Sequence, residues 1–166
     1  MENTAEIAEL AVKLLKKNGL HVATAESCTG GMIAAALCGV AGCSDVLESS
    51  FVTYSAGSKQ RFCGVGAGTI ETYGIVSEQV AYEMASGVVK TACSDVGLAV
   101  TGFAGPGGGD EHARVGTVCF GIKLPGRDAL TFTKYYEGCG RQTVRENAVR
   151  DILSRLCEEL RRSGDV

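Results

Sequence analysis

The chain is predicted to fold as α/β, a three-layer α/β/α sandwich around a mixed, mostly parallel sheet. Three observations predict it. Segments with helical periodicity alternate with short apolar, β-rich segments over the first hundred residues. The run 96–101, Val-Gly-Leu-Ala-Val-Thr, is apolar without alternation, as expected of a central strand buried on both faces. Two β-rich runs, 115–123 and 129–136, are separated by Leu124-Pro125-Gly126-Arg127-Asp128, which reads as a hairpin and adds an antiparallel pair.

The elements follow in order. Ile7, Leu10, Ala11, Leu14 and Leu15 recur at i, i+3, i+4, i+7 and i+8, one apolar face of a first helix that Asn18-Gly19 ends. Residues 20–25 read as a short buried strand. Thr29-Gly30-Gly31 opens a helix of small residues through Leu37, closed by Gly39. Residues 46–54 form a second strand, containing Phe51-Val52-Thr53-Tyr54, and 58–63 a short helix. Ser77 is placed to cap a helix running to about Ala92, with Val80, Ala81, Met84, Ala85, Val88 and Val89 on its buried face. After the third strand, a glycine loop and the hairpin comes a last helix over 141–162, striped by Val144, Ala148, Ile152, Leu156 and Leu160.

With 166 residues, 45% apolar and 21% charged, the chain suits one domain with a sizeable core, 1–166. Its 16 basic and 19 acidic residues give a net charge of −3 without a long basic run, which disfavours nucleic acid as a partner. No apolar run is long enough for a bilayer. The eight cysteines form no CxxC pair and no zinc-ligand spacing. The first twenty residues are charged and amphipathic, unlike a signal peptide. Reduced thiols in a cytoplasmic protein are the expectation.

In sheets of this kind, ligands bind beyond the carboxyl ends of the strands. Ser27 follows the first strand there, Tyr54 ends the second and Thr101 the third, so three polar loops are expected to meet at one edge. A small hydroxyl residue between strand and helix suits a phosphate, an oxyanion formed by serine attack, or a plain helix cap. Neither Gly-x-Ser-x-Gly nor the phosphate-loop pattern is present, and the loop holds no lysine. A serine nucleophile needs a base, and Lys59 follows the second strand on the same edge; His21 begins the first strand and His112 lies in a glycine loop. Cys28 is a rival nucleophile if a helix N-terminus stabilises its thiolate. Five glycines at Gly102, Gly105, Gly107, Gly108 and Gly109 allow a backbone to approach a ligand closely and to present N–H groups. Arg141 and Arg145, a turn apart at a helix start, suit an anion such as phosphate.

Four segments in order, Ala25-Glu26-Ser27-Cys28-Thr29-Gly30-Gly31, Phe51-Val52-Thr53-Tyr54-Ser55, the run 100–109 and Val115-Gly116-Thr117-Val118, resemble the CinA C-terminal domain family over roughly positions 5 to 160. The resemblance implies hydrolysis of the carboxamide of nicotinamide mononucleotide to nicotinate mononucleotide and ammonia, without metal or cofactor. It further implies a cytoplasmic role in pyridine-nucleotide salvage and a homodimer. By that resemblance the family's serine falls on Ser27, its tyrosine on Tyr54, its lysine on Lys59, its threonine on Thr101 and its arginine on Arg141, while Ser44 matches a second serine of the family's turn; Lys59 is expected to take the Ser27 proton directly or through Ser44. Tyr54 is expected to orient Lys59 or to meet the substrate ring. The N–H groups around Thr29 and Gly30 are expected to hold the oxyanion, and Arg141 with Gly102, Gly105 and Gly107 the ribose phosphate. The chain departs from the family pattern at Ala56, Cys43, Gly140 and His112-Ala113-Arg114. A non-catalytic nucleotide-binding module is the alternative, and a phosphotransferase using Asp110 and Glu111 around magnesium is a third reading.

Overall fold

The computed structural model describes residues 3–163. Five strands form one sheet in the order β2-β1-β3-β4-β5: β1 (Val22–Glu26), β2 (Leu47–Val52), β3 (Val96–Gly102), β4 (Thr117–Lys123) and β5 (Leu130–Tyr135). The central strand is β3, as its unbroken apolar character implies. It pairs parallel to β1 and antiparallel to β4, and β1 pairs parallel to β2. The β4–β5 hairpin is antiparallel, so the pairings divide evenly while four of the five strands point the same way.

Six helices cover the two faces: α1 (Thr4–Lys17), α2 (Met32–Cys38), α3 (Ala56–Cys63), α4 (Ala67–Tyr73), α5 (Glu78–Ala92) and α6 (Arg141–Ser163). α1, α2 and α6 pack together over one face, against Val22, Leu98, Val100 and Phe120. α3 and α5 cover the other, where Ala23, Ala25 and Ala99 meet Val80, Met84 and Val88. That second layer lies close because the sheet there is almost without side chains. A Cβ added to Gly97 or Gly121 would come within 2.3 Å of the Ala85 or Ala81 carbonyl oxygen of α5.

Most element boundaries move by one to three residues from the sequence reading, and two elements were not legible. α4 buries no residue, so it leaves no periodic stripe to read. A 3₁₀ turn, Cys43–Asp45, precedes β2. The first-helix face is rotated slightly from the expected one: Ala8 and Val12 join Ile7, Ala11 and Leu15 inside, while Leu10 and Leu14 sit at its margin. The stripe of α6 is buried as expected.

Candidate active site

Strand alternation sets the site. Side chains of β1 point to opposite faces in turn. Ala23 and Ala25 face α5, whereas the buried Glu26 reaches α2 on the other face. Its carboxylate accepts the N–H groups of Gly31, Ile33 and Ala34 at 3.0 Å each and the Thr24 hydroxyl at 3.2 Å. Glu26 therefore occupies the amino-terminal end of α2, where the sequence reading allowed a phosphate. Ser27 is not the cap of that helix: Gly31 holds the cap position with φ 97°, and Glu26 supplies the oxygens.

With the helix end satisfied, the Ser27 hydroxyl is left for another partner. Lys59 Nζ donates to Ser27 Oγ at 3.0 Å and to the Thr53 carbonyl oxygen at 2.6 Å. α3 starts at Ala56, two residues earlier than expected, because Ser55 and Ser58 form a reciprocal capping box. Lys59 follows one turn in and points under the sheet edge, with no accessible surface. Burial lowers its pKa from 10.5 to about 8, since an ammonium is disfavoured away from water; the thiols of Cys28 and Cys63 beside it work weakly the other way. Both thiols are themselves pushed up to about 11 by burial, so neither is a thiolate near neutrality. The stabilised thiolate on which the rival reading of Cys28 rested is therefore not supported.

The turn after Ser27 is held from above by α6. Arg145 Nε donates to the Cys28 carbonyl oxygen at 3.0 Å and Nη2 to that of Thr29 at 3.2 Å. Gly30 N–H donates to the Ser27 carbonyl oxygen at 3.0 Å, so it is not available to an oxyanion, contrary to expectation. Among the described residues, the N–H groups of Cys28 and Thr29 have no acceptor, and the buried Thr29 Oγ1 and Thr53 Oγ1 have no partner.

A cavity of about 230 Å³ opens in front of Ser27. Cys28, Tyr54, Ile75, Val76, Thr101, Gly102, Phe103, Ala104, Gly105, Gly107 and Arg141 line the rest of it. Thr101 donates its hydroxyl to the Ile75 carbonyl oxygen at 2.8 Å and so holds the 75–76 wall against β3. Arg141 donates to the Gly105 carbonyl oxygen at 2.8 Å and to the Tyr54 hydroxyl at 3.1 Å, tying the glycine loop to the end of β2. Tyr54 is more than half exposed and stands at the rim with Arg141; the Thr53 carbonyl, which no side-chain motif encodes, is what orients Lys59.

Three other expectations change. Ser44 lies in the 3₁₀ turn before β2, exposed, at the opposite end of the strand from Thr53 and Lys59. Because β1 and β2 run parallel, with partners from Val22↔Leu47 to Glu26↔Val52 and a register shift after Val22, it is separated from Ser27 by the length of the strands. It cannot relay a proton within this chain, and the direct contact between Lys59 and Ser27 needs no relay. Arg145, read as a phosphate ligand beside Arg141, is instead engaged by backbone carbonyls. Thr29 and Gly30 lie behind the cavity rather than along it. In the glycine loop, Asp110 Oδ1 accepts the N–H groups of His112 and Ala113 and shapes the loop itself.

A serine hydroxyl against a buried amine of lowered pKa, at the carboxyl edge of a mixed α/β sheet, is an arrangement for nucleophilic attack by oxygen. The chain belongs to the CinA C-terminal domain family, whose model matches residues 4–160. It is 46% identical over 143 residues to a nicotinamide-nucleotide amidohydrolase PncC of Enterobacter agglomerans, covering 84% of this chain and 87% of that one. It is 42% identical to a CinA-like protein of Kosmotoga olearia, where the match covers 89% of this chain but 35% of the relative's length. Among solved structures, the competence/damage inducible protein CihA from Agrobacterium tumefaciens superposes with a TM-score of 0.91 at 39% identity, covering 97% of each chain. No helix among the described residues is long and apolar enough to cross a membrane.

Proposed function

We propose that this protein hydrolyses the carboxamide of nicotinamide mononucleotide, giving nicotinate mononucleotide and ammonia, with Ser27 as nucleophile and Lys59 as its base. The observation that carries the proposal is the 3.0 Å contact between Lys59 Nζ and Ser27 Oγ, made by a lysine with no accessible surface. The substrate class is supported by the identity to the amidohydrolase PncC over most of both chains.

In its neutral form Lys59 donates an N–H to the Thr53 carbonyl, which turns the nitrogen lone pair toward the Ser27 hydroxyl. The lone pair takes the hydroxyl proton as Ser27 Oγ bonds to the carboxamide carbon. The quaternised pyridinium ring withdraws electrons and makes that carbon a better target than in a simple amide. The N–H group of Cys28, the residue that follows the nucleophile and lines the cavity, is the donor offered to the developing oxyanion, as in hydrolase elbows. The C–N bond then breaks, Lys59 returns the proton to the departing ammonia, and water cleaves the acyl-enzyme to the carboxylate. Ile75, Val76 and Phe103 give the ring an apolar wall, and Arg141 at the rim suits the phosphate. In this reading the protein serves pyridine-nucleotide salvage in the cytoplasm as a homodimer.

The test is ammonia release from nicotinamide mononucleotide with a chelator present. Wild type is expected to release ammonia and Ser27→Ala to lose at least about a thousandfold in kcat while still binding the nucleotide. Release by Ser27→Ala at a substantial fraction of wild type would sink the nucleophile. Binding without release by wild type would leave a nucleotide-binding module.

A further inference from the structure

Lys59 is carried by a helix too short to hold itself in place. α3 has eight residues, and the capping box at its start, Ser55 and Ser58, is exposed to water. Its other end is held by α5. Glu83, Gly87 and Thr91 of α5 lie four residues apart and so form one stripe along that helix. The backbone leaving α3 runs along this stripe. Thr91 Oγ1 donates to the Phe62 carbonyl oxygen at 2.7 Å. Gly87 meets the next residue: a Cβ there would come within 1.7 Å of the Cys63 carbonyl oxygen and 2.9 Å of its Cα. Glu83 Oε2 accepts the Gly66 N–H at 2.8 Å, and Oε1 accepts the Thr69 hydroxyl at 2.8 Å. Cys63 stands one turn from Lys59 on the same face of α3, and both are buried. α5 is itself fixed, because it lies on β3 and β4 at Gly97 and Gly121. None of the three stripe residues lines the cavity.

We propose that Glu83, Gly87 and Thr91 are positioning residues for the base: they seat the end of α3 against α5, with Gly87 as the point of closest approach, and so set the depth of Lys59 and its distance to Ser27. They act through Lys59 and touch no reacting atom. A helix pushed outward at Cys63 lifts Lys59 in the preceding turn, opens the amine to water and lengthens its 3.0 Å contact with Ser27 Oγ. The titratable groups facing the amine are the thiols of Cys28 and Cys63, both held neutral near pH 7 by burial. The α5 side chains packed with Cys63, namely Val80, Met84 and Val88, carry no charge. Exposure is therefore what a displaced α3 changes, and an amine reached by water returns toward its ordinary 10.5. The inference rests on the reading of Lys59 as the base of Ser27, not on the identity of the substrate.

Two readouts test it. Ammonia release from nicotinamide mononucleotide gives kcat, KM and the pH midpoint of kcat/KM. The NMR shift of the Lys59 ε-methylene, in protein labelled at lysine and assigned by its loss in Lys59→Met, follows the amine's titration without turnover. Gly87→Ala is expected to lower kcat at pH 7 by about ten- to a hundredfold with KM within about twofold, because a displacement of about 1 Å suffices for such losses. Both midpoints should rise by about one pH unit. A lowered Tm with both midpoints unmoved would show a role in stability alone and overturn the inference. If Gly87→Ala does not fold, Thr91→Val decides: a loss of about two- to fivefold and raised midpoints are expected, restored in Thr91→Ser, which keeps the hydroxyl. In that case unshifted midpoints, or a Thr91→Ser as impaired as Thr91→Val, overturn it. A wild type that releases no ammonia takes away the substrate assignment, and the Lys59 titration then decides the role of the stripe. A wild-type amine that titrates at the ordinary 10.5 removes Lys59 as the base and the inference with it.

Discussion

Lys59 is the residue on which the chemistry turns, and burial explains both its use and its cost. It is an amine without accessible surface, hydrogen-bonded among the described residues only to Ser27 and Thr53, with a pKa lowered to about 8. At pH 7 only about a tenth of it is neutral, so the resting base is mostly protonated. kcat/KM is expected to rise about tenfold per pH unit below the pKa and to level near pH 8. The stability effect has the opposite character. The folded pKa lies below the ordinary 10.5, so the unfolded chain binds more protons between about 8 and 10.5 and stability rises with pH across that window. Lys59→Met should be inactive yet more stable at pH 7 by about 1–2 kcal/mol, measured by urea denaturation. A destabilised Lys59→Met would mean that the two hydrogen bonds outweigh the desolvation of the charge. Ser27 and Lys59 were both legible as residue types at a shared sheet edge. Their contact was not, because it depends on the Thr53 carbonyl, and every residue has a backbone carbonyl.

At the scale of elements, the strand–turn–helix around Ser27 is fixed by a carboxylate and a guanidinium from opposite sides. Glu26 satisfies three N–H groups of α2, a helix of only seven residues that has little stability of its own. Glu26→Gln would turn an NH₂ group toward backbone N–H donors that now meet an oxygen. It is expected to cost about 2–4 kcal/mol by thermal or urea unfolding and to lower kcat through a loosened turn at 27–31. An unchanged Tm would contradict the capping role. The sequence reading left a phosphate, an oxyanion or a plain cap by Ser27 open at this helix end. Alternation along β1 in fact sends Glu26 to the helix and frees Ser27 for the other face. The same reading missed α4, whose Gly66-Ala67-Gly68 start and lack of buried residues leave no periodic signal. It recovered α5 and α6, where long stripes and the Ser77 cap are explicit in the residues.

For the whole molecule, the sheet order brings the site together: β1 and β3 lie side by side, so the Ser27 turn, the Thr101 wall and the glycine loop share one edge. That edge keeps its shape because α5 lies directly on β3 and β4 at Gly97 and Gly121. Gly121→Val should cost about 1–3 kcal/mol by urea unfolding, since its Cβ would meet the Ala81 carbonyl, a backbone atom that cannot swing aside. An unaffected midpoint would mean that α5 shifts freely over the sheet. The fold class was legible from alternation of helix and strand periodicity. The side chain that joins the last helix to the first turn, Arg145 across more than a hundred residues, was legible only as a charge. The central claim, Ser27 acylated with Lys59 as its base, is tested most directly by quenching the enzyme in acid during turnover of nicotinamide mononucleotide and mapping the covalent adduct by mass spectrometry. The account predicts a nicotinate-mononucleotide ester on Ser27 that is absent from Lys59→Met. An adduct on Cys28, or rapid ammonia release with no ester on Ser27 even when hydroxylamine is present to intercept it as a hydroxamate and none forms, would contradict it.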